Sequence, residues 1–284
     1  MAAVGLASVG VLAEGLDHPE GVTVDADGVL YAGGEAGQVY RVDPDDGSVE
    51  EVASTGGFLL GLCADGDGLL YCCDVARREV LRVSPSSGEV SVYSTGAPGR
   101  PFVNPNWPVF DDAGNLYVTD SGGWKADDGC IMRITPSGET IVWSDASTGF
   151  PNGAALSADG RALYVLESTT PALVRVPILD DGSAGSREVL ATLHGVPDGC
   201  ALDTEGRVYV CYYRPDRIDR VWPDGRVEQL ADDPEGTLLS APTNGVWLEP
   251  DRTRLVVGNL GRWHLSVCEF GATGIPLRYP RLGS

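Results

Sequence analysis

One phrase recurs six times along the chain: a short apolar run, an Asp-rich turn, then a second apolar run. The copies occupy residues 21–34 (GVTVDADGVLYAGG), 61–74 (GLCADGDGLLYCCD), 107–120 (WPVFDDAGNLYVTD), 153–166 (GAALSADGRALYVL), 199–212 (GCALDTEGRVYVCY) and 245–258 (GVWLEPDRTRLVVG). Marked by the last turn residue, they sit at Gly28, Gly68, Gly114, Gly160, Gly206 and Arg252, spaced 40, 46, 46, 46 and 46 residues apart. A unit this short cannot bury an apolar face alone, so the copies must pack against one another. Each of the first five periods adds a third run (Gln38–Val42, Val80–Val83, Ile131–Ile134, Leu173–Val176, Arg217–Val221), and the first three add a clear fourth (Val49–Ala53, Val90–Tyr93, Thr140–Trp143). Four strands per period and six periods predict an all-β fold, a six-bladed β-propeller.

The two ends of the repeat agree with this reading. The last period has a third strand (Leu265–Phe270) and then only a tail containing Pro and Gly, so it lacks a fourth. A spare apolar run, Val9–Ala13, precedes the first period. It is expected to complete the last blade, closing the ring and removing an open sheet edge. A single domain over 1–284 is expected, with blades at roughly 14–54, 55–95, 101–144, 147–191, 194–231 and 240–270 plus 9–13. The Asp-rich turns, including Asp65-Gly66-Asp67-Gly68, read as hairpin turns rather than calcium loops, because the bidentate Glu such a loop needs is missing.

Charge narrows the partners. With 20 Lys and Arg against 41 Asp and Glu, the net charge is −21, which repels nucleic acid and anionic membranes and favours cations and neutral ligands. Lysine occurs once, at Lys125, and histidine three times, so imine chemistry and an imidazole metal site have little material. The segment Met1–Leu12 has no basic residue, no apolar run approaches the roughly 20 residues that span a bilayer, and seven cysteines without a CxxC pair suit reduced thiols. These features lead to the expectation of a cytoplasmic protein, a monomer or weak homo-oligomer, acting on a small molecule.

The innermost strands of a propeller start together at one end of its axis. Eight residues before each marker stand Glu20, Leu60, Asn106, Asn152, Asp198 and Asn244. Five of the six carry oxygen donors at a position where apolar residues would pack better. Two carboxylates with amide oxygens, and no sulfur or imidazole, select a hard divalent cation. Calcium is the first expectation, with magnesium, manganese and zinc as further candidates. The alternative is that Asn and Asp merely cap the strand starts. That explains neither Glu20 nor two neighbouring carboxylates without a counterion, each of which would raise the other's pKa. The next residue is Gly in five copies (Gly21, Gly61, Gly153, Gly199, Gly245), as a close backbone approach requires, and Trp107 in the other. Loops at this end carry Phe102, Asn104, Trp107, Trp124, Tyr212, Trp263 and His264, which are expected to bind a neutral, partly apolar substrate.

The strings His18-Pro-Glu-Gly-Val, Phe150-Pro-Asn-Gly-Ala, Val196-Pro-Asp-Gly-Cys, Ala241-Pro-Thr-Asn-Gly-Val and Gly261-Arg-Trp-His-Leu resemble the senescence marker protein/gluconolactonase/luciferin-regenerating enzyme-like family, also called regucalcin-like. The resemblance runs over essentially the whole chain. It implies a propeller that holds a divalent cation, commonly calcium, and hydrolyses lactones. It places metal ligands on Glu20, Asn152 and Asp198, with Asn106 as the third-blade Asn, and makes Asp198 the acid/base residue as well. Sugar lactonases of the family typically show Arg-x-Asn-Asp in the third blade, whereas Asn104-Pro105-Asn106-Trp107 stands here. The Arg and second acid are absent from their places, which turns the expectation away from sugar substrates.

The leading expectation is therefore metal-dependent hydrolysis of a lactone or related ester, with Asp198 as acid/base. A metal-independent synthase or cyclase on the same scaffold, and a non-catalytic binding propeller with structural calcium, are the alternatives. A serine mechanism at Asp120-Ser121-Gly122-Gly123 has only a resemblance to the nucleophile string of trypsin-like enzymes behind it.

Overall fold

The computed structural model describes residues 5–283; residues 1–4 and 284 of the expected domain lie outside them. Six four-stranded antiparallel sheets make up the molecule, with a two-stranded hairpin (Gly96–Ala97 with Arg100–Pro101) beside them. The innermost strands are Val22–Val24, Leu59–Ala64, Pro105–Phe110, Pro151–Leu156, Val196–Leu202 and Pro242–Trp247, and each packs against the innermost strand on either side, closing a circle. As the repeat predicts, this is a six-bladed β-propeller. Val9–Glu14 pairs antiparallel with His264–Cys268, from Val9 opposite Cys268 to Glu14 opposite His264, and so completes the sixth blade.

Burial falls outward along each blade. Innermost strands are almost wholly buried, while an outer strand such as Val49–Ser54 keeps only one fully buried position. Six apolar clusters fill the six blade interfaces, for example Leu30 and Val42 of the first blade with Val246 and Leu265 of the sixth. This is why a single period is not a folding unit.

The turns behave as hairpins. Asp25, Asp65, Asp111 and Asp203 each accept backbone N–H bonds from the residues two and four further on. All five glycine markers have positive φ, and Arg252 adopts the same conformation at φ 52°. A side chain there is strained by roughly 1 kcal/mol, and the Arg252 guanidinium is held by Glu249 and by the Gly274 carbonyl.

The chain after the sixth blade folds back across the end of the propeller where the innermost strands finish. It touches all six blades: Ile275 N donates to Leu202 O, Gly274 N to Arg252 O, Tyr279 Oη to Val24 O, Gly66 N to Pro280 O, and the Arg278 guanidinium to Ala158 O, beside Asp112. The tail thereby floors the central channel. All seven cysteines are free thiols. No helix among the described residues is long and apolar enough to cross a membrane.

Candidate metal centre

The repeat places Glu20, Asn106, Asn152, Asp198 and Asn244 at the starts of five innermost strands, and the fold brings them to the upper end of the channel. Every one is at least nine-tenths buried. Leu60 occupies the sixth position.

The geometry turns their oxygens loose. The Asn152 Nδ2 donates to Ser168 Oγ (3.2 Å), and Ser168 Oγ donates to Pro197 O (2.6 Å). The amide is thus held with its oxygen free. Asn244 Nδ2 makes a long bond of 3.5 Å to Glu20 O, while Thr243 Oγ1 donates to the same carbonyl at 2.7 Å. Among the described residues nine buried side-chain polar atoms have no hydrogen-bond partner, and five of them are Asn104 Oδ1, Asn106 Oδ1, Asn152 Oδ1, Asp198 Oδ1 and Asn244 Oδ1. Buried polar atoms are ordinarily paired. Four of these unpaired acceptor oxygens, on Asn106, Asn152, Asp198 and Asn244, belong to the ring, and they form a donor set that suits a hard cation and no hydrogen-bonding network of the described chain itself.

The carboxylates carry the same signature. Burial pushes the Asp198 carboxyl up to about 8 from an ordinary 3.8. Glu20 is raised well above the usual carboxylate range, chiefly by burial and then by the charges of Asp198 and Glu35. A divalent cation between them would supply the missing positive charge.

Directly below the ring the innermost strands crowd one another. A Cβ on Gly21 would lie 2.1 Å from Leu60 O, on Gly61 2.6 Å from Asn106 O, on Gly153 2.7 Å from Asp198 O, and on Gly199 1.8 Å from Asn244 Oδ1. The glycines let neighbouring innermost strands meet backbone to backbone, and this belt of close contacts, the waist, lies between the oxygen ring and the channel beneath.

The residues expected at the mouth divide into two groups. Trp124 and Trp263 are 53% and 59% exposed at the upper end, each edge-on to a neighbouring ring, Phe150 and His18 respectively. Phe102 and Tyr212 pack instead in blade interfaces at 1% exposure, where the Tyr212 hydroxyl donates to Asp219 Oδ2 (2.9 Å). They present almost no surface to a substrate, because the apolar face of a strand end is claimed by the next blade. Trp107 is also buried and lines the channel below the waist, with its indole against Gly61. His264 is buried, its Nε2 3.0 Å from Leu238 O. Asn104 is partly buried, with its N–H donating to Asp120 Oδ1 (2.6 Å). Ser121 Oγ donates to Pro151 O (2.8 Å), so this hydroxyl stitches two blades together.

Sequence reasoning overlooked Ser168, whose orienting role depends on a contact between blades. It also overlooked a cluster at the rim, where His18 Nδ1 lies 2.9 Å from Asp17 Oδ1 and 3.3 Å from Glu35 Oε2. These three side chains could share a metal ion. Hydrogen bonding between the His18 ring and the neighbouring carboxylates accounts for the same geometry. The proximity of His18 to Glu20 in the string His18-Pro-Glu-Gly was the available signal.

Comparison with known proteins shows which family the chain belongs to. A lactonase, drp35, from Staphylococcus aureus is 31% identical over 129 residues, 42% of this chain and 40% of that protein. The match therefore spans about two fifths of the length of this curated relative. Among solved structures, a gluconolactonase from Xanthomonas campestris superposes with a TM-score of 0.78 at 20% identity, covering 92% of this chain and 89% of its own. A calcium-binding protein, regucalcin, from Agrobacterium tumefaciens gives 0.78 at 19% identity over the whole of both chains. At these identities the superpositions establish the shared fold. The model of the SMP-30/Gluconolactonase/LRE-like region matches residues 18–259, from the His18 string to the end of the second strand of the sixth blade, and this chain belongs to that family.

Proposed function

We propose that this protein is a divalent-cation-dependent hydrolase of a lactone or related ester. The observation that carries the reading is the buried ring of unpartnered oxygens around two carboxylates whose proton affinities are raised. Glu20, Asn152 and Asp198 would hold the ion, with Asn106 and Asn244 completing the oxygen set; calcium fits this donor chemistry first. The chemistry a bound cation supplies is Lewis-acid polarisation of the ester carbonyl and a more acidic water.

The chain's own residues do the rest. Asp198 Oδ1, left without a partner, accepts the proton of the attacking water and returns it to the departing alkoxide. Ser168 fixes the Asn152 amide so that its oxygen, rather than its NH2, meets the ligand. Trp124 and Trp263 flank the approach with apolar surface and suit a neutral, partly apolar ester. The curated lactonases that resemble this chain support the reaction class, and Asn104-Pro105-Asn106-Trp107 supports a substrate other than a sugar lactone.

A proton-release assay over aliphatic, aromatic and sugar lactones tests the reading, run on metal-stripped protein and again with calcium, magnesium, manganese or zinc. Turnover that needs metal and disappears in Asp198→Asn is the expected result. Silence across the panel from protein shown to bind the ion would overturn it in favour of a binding propeller, and turnover without metal would favour a synthase-type chemistry.

A further inference from the structure

Seven residues other than glycine have positive φ among the described residues, and three of them share one setting. His18 (φ 43°), Phe150 (φ 59°) and Ala241 (φ 45°) each stand immediately before a proline at the entry to an innermost strand. Glu20 and Asn152 follow that proline directly, and Asn244 follows it by two places. Two effects oppose this conformation. A Cβ crowds the following carbonyl oxygen in the left-handed region, and a residue ahead of proline is normally pushed to an extended backbone. Glycine is this chain's ordinary answer to positive φ, taken up by twenty of the described glycines, among them Gly195 in the matching stretch before Asp198. The turn alone therefore does not explain a side chain at Phe150 or Ala241.

Neighbouring structure holds both residues in place. Phe150 N–H donates to Thr148 O (2.9 Å), its carbonyl accepts from Ser168 N (3.1 Å), and its ring lies edge-on to Trp124 with centroids 5.0 Å apart. Ala241 is fully buried; its N–H donates to Asp216 Oδ1 (2.7 Å) and its carbonyl accepts from Leu260 N (3.1 Å). Strain of this kind persists only where the surroundings over-determine it, and it gathers at sites whose geometry is fixed in advance. The atoms just downstream are of that sort: Asn152 Oδ1 and Asn244 Oδ1 are buried and unpartnered. Asn244 in particular has only the 3.5 Å bond from its Nδ2 to Glu20 O to orient its amide.

Resting on the cation reading given above, we propose that Phe150 and Ala241 are positioning residues of the oxygen ring. Their Cβ atoms confine the backbone ahead of Asn152 and Asn244 to one small left-handed well, where glycine would range more widely. The two amide oxygens are thereby placed before a cation arrives. The backbone restriction achieves this, not the Phe150 ring.

The test is calorimetric titration of the full-length protein with calcium, alongside the melting temperature of the cation-free form. Phe150→Gly and Ala241→Gly should each weaken calcium binding about threefold or more, and together about tenfold, because glycine's wider range must be given up again on binding. Phe150→Ala brings back the Cβ without the ring and should restore wild-type affinity, although its melting temperature falls along with that of Phe150→Gly. Arg78→Gly relieves the same conformation (φ 58°) in the second blade, whose ring position is Leu60, and should leave the affinity unchanged. Wild-type affinity in both glycine variants, a loss in Phe150→Ala equal to that in Phe150→Gly, or an equal loss in Arg78→Gly would each overturn the proposal while leaving the cation site standing. A wild-type protein that takes up no calcium would instead overturn the reading beneath it, and the proposal with it. Phe150 and Ala241 lie in different blades, so if one variant fails to fold the other decides.

Discussion

The same six strands line two compartments that differ in almost every physical respect. Above the waist, Asn106, Asn152, Asp198 and Asn244 surround the axis with oxygens that nothing in the described chain satisfies, beside the buried carboxyl of Glu20. Two residues further along, side chains such as Leu62 and Val246 surround it with carbon. The upper compartment is destabilising until something fills it, because buried carboxylates and unpaired amides cost free energy. The lower one contributes burial whether filled or not. A repeat can carry both because its innermost strand crosses from one end to the other, and position within the repeat, not position in the chain, decides which compartment a residue enters.

Four substitutions and one change of condition would break or sharpen that contrast. The largest effect is expected from Asp198→Asn, which should lower kcat on a turned-over lactone by about 10²–10⁴-fold, the range for a lost proton acceptor. The melting temperature of the cation-free protein at pH 8 should not fall, since there the buried carboxyl is part-ionised and an amide of the same shape stays neutral; Ala155→Leu in the lower part of the channel should leave kcat within a factor of a few. Gly199→Ala attacks the divider, driving a methyl into Asn244 Oδ1 and Thr243 O. Denaturant unfolding should show a loss of about 1–3 kcal/mol from such overpacking.

Ser168→Ala removes the group that orients the Asn152 amide. Calorimetry should show calcium affinity reduced about tenfold or more, as for other residues that position metal ligands, without loss of secondary structure. The smallest effect is on pH. The unfolded chain releases the Asp198 proton near its ordinary 3.8 and the folded chain only at about 8. Between these values the folded state binds more protons, so the stability of the cation-free protein should fall as pH rises across that window. Melting a few degrees higher at pH 5 than at pH 8 is expected, with the slope flattened by saturating calcium and by Asp198→Asn; an unchanged slope in that variant would remove the ring as its source.

The propeller and its oxygen ring were legible because both are periodic. A fixed offset from Gly28, Gly68, Gly114, Gly160, Gly206 and Arg252 picks out one structural position six times, and even Arg252, which breaks the glycine rule, keeps the positive φ of the other five. Side-chain direction at the ends of strands was not legible. Phe102 and Tyr212 stand in sequence where a mouth residue should, yet the neighbouring blade offers them a better apolar surface than water does. Ser168 was invisible for a related reason, since its two partners, Asn152 and Pro197, belong to different blades. The tail read as a stretch containing Pro and Gly with no role. Its function as a floor depends on contacts with all six blades, none of them within a repeat.

The seam of the ring also sets a schedule. Val9 pairs with Cys268, the first strand of the described chain with the last. On a ribosome adding about 5–20 residues per second, roughly 10–50 s separate the appearance of these partners. Through that interval Val9–Glu14 has no sheet to join, and the growing blades have no circle to close. The final blade is therefore the last to assemble, and an exposed apolar strand waiting at the front of the chain is where aggregation and chaperone capture compete with folding.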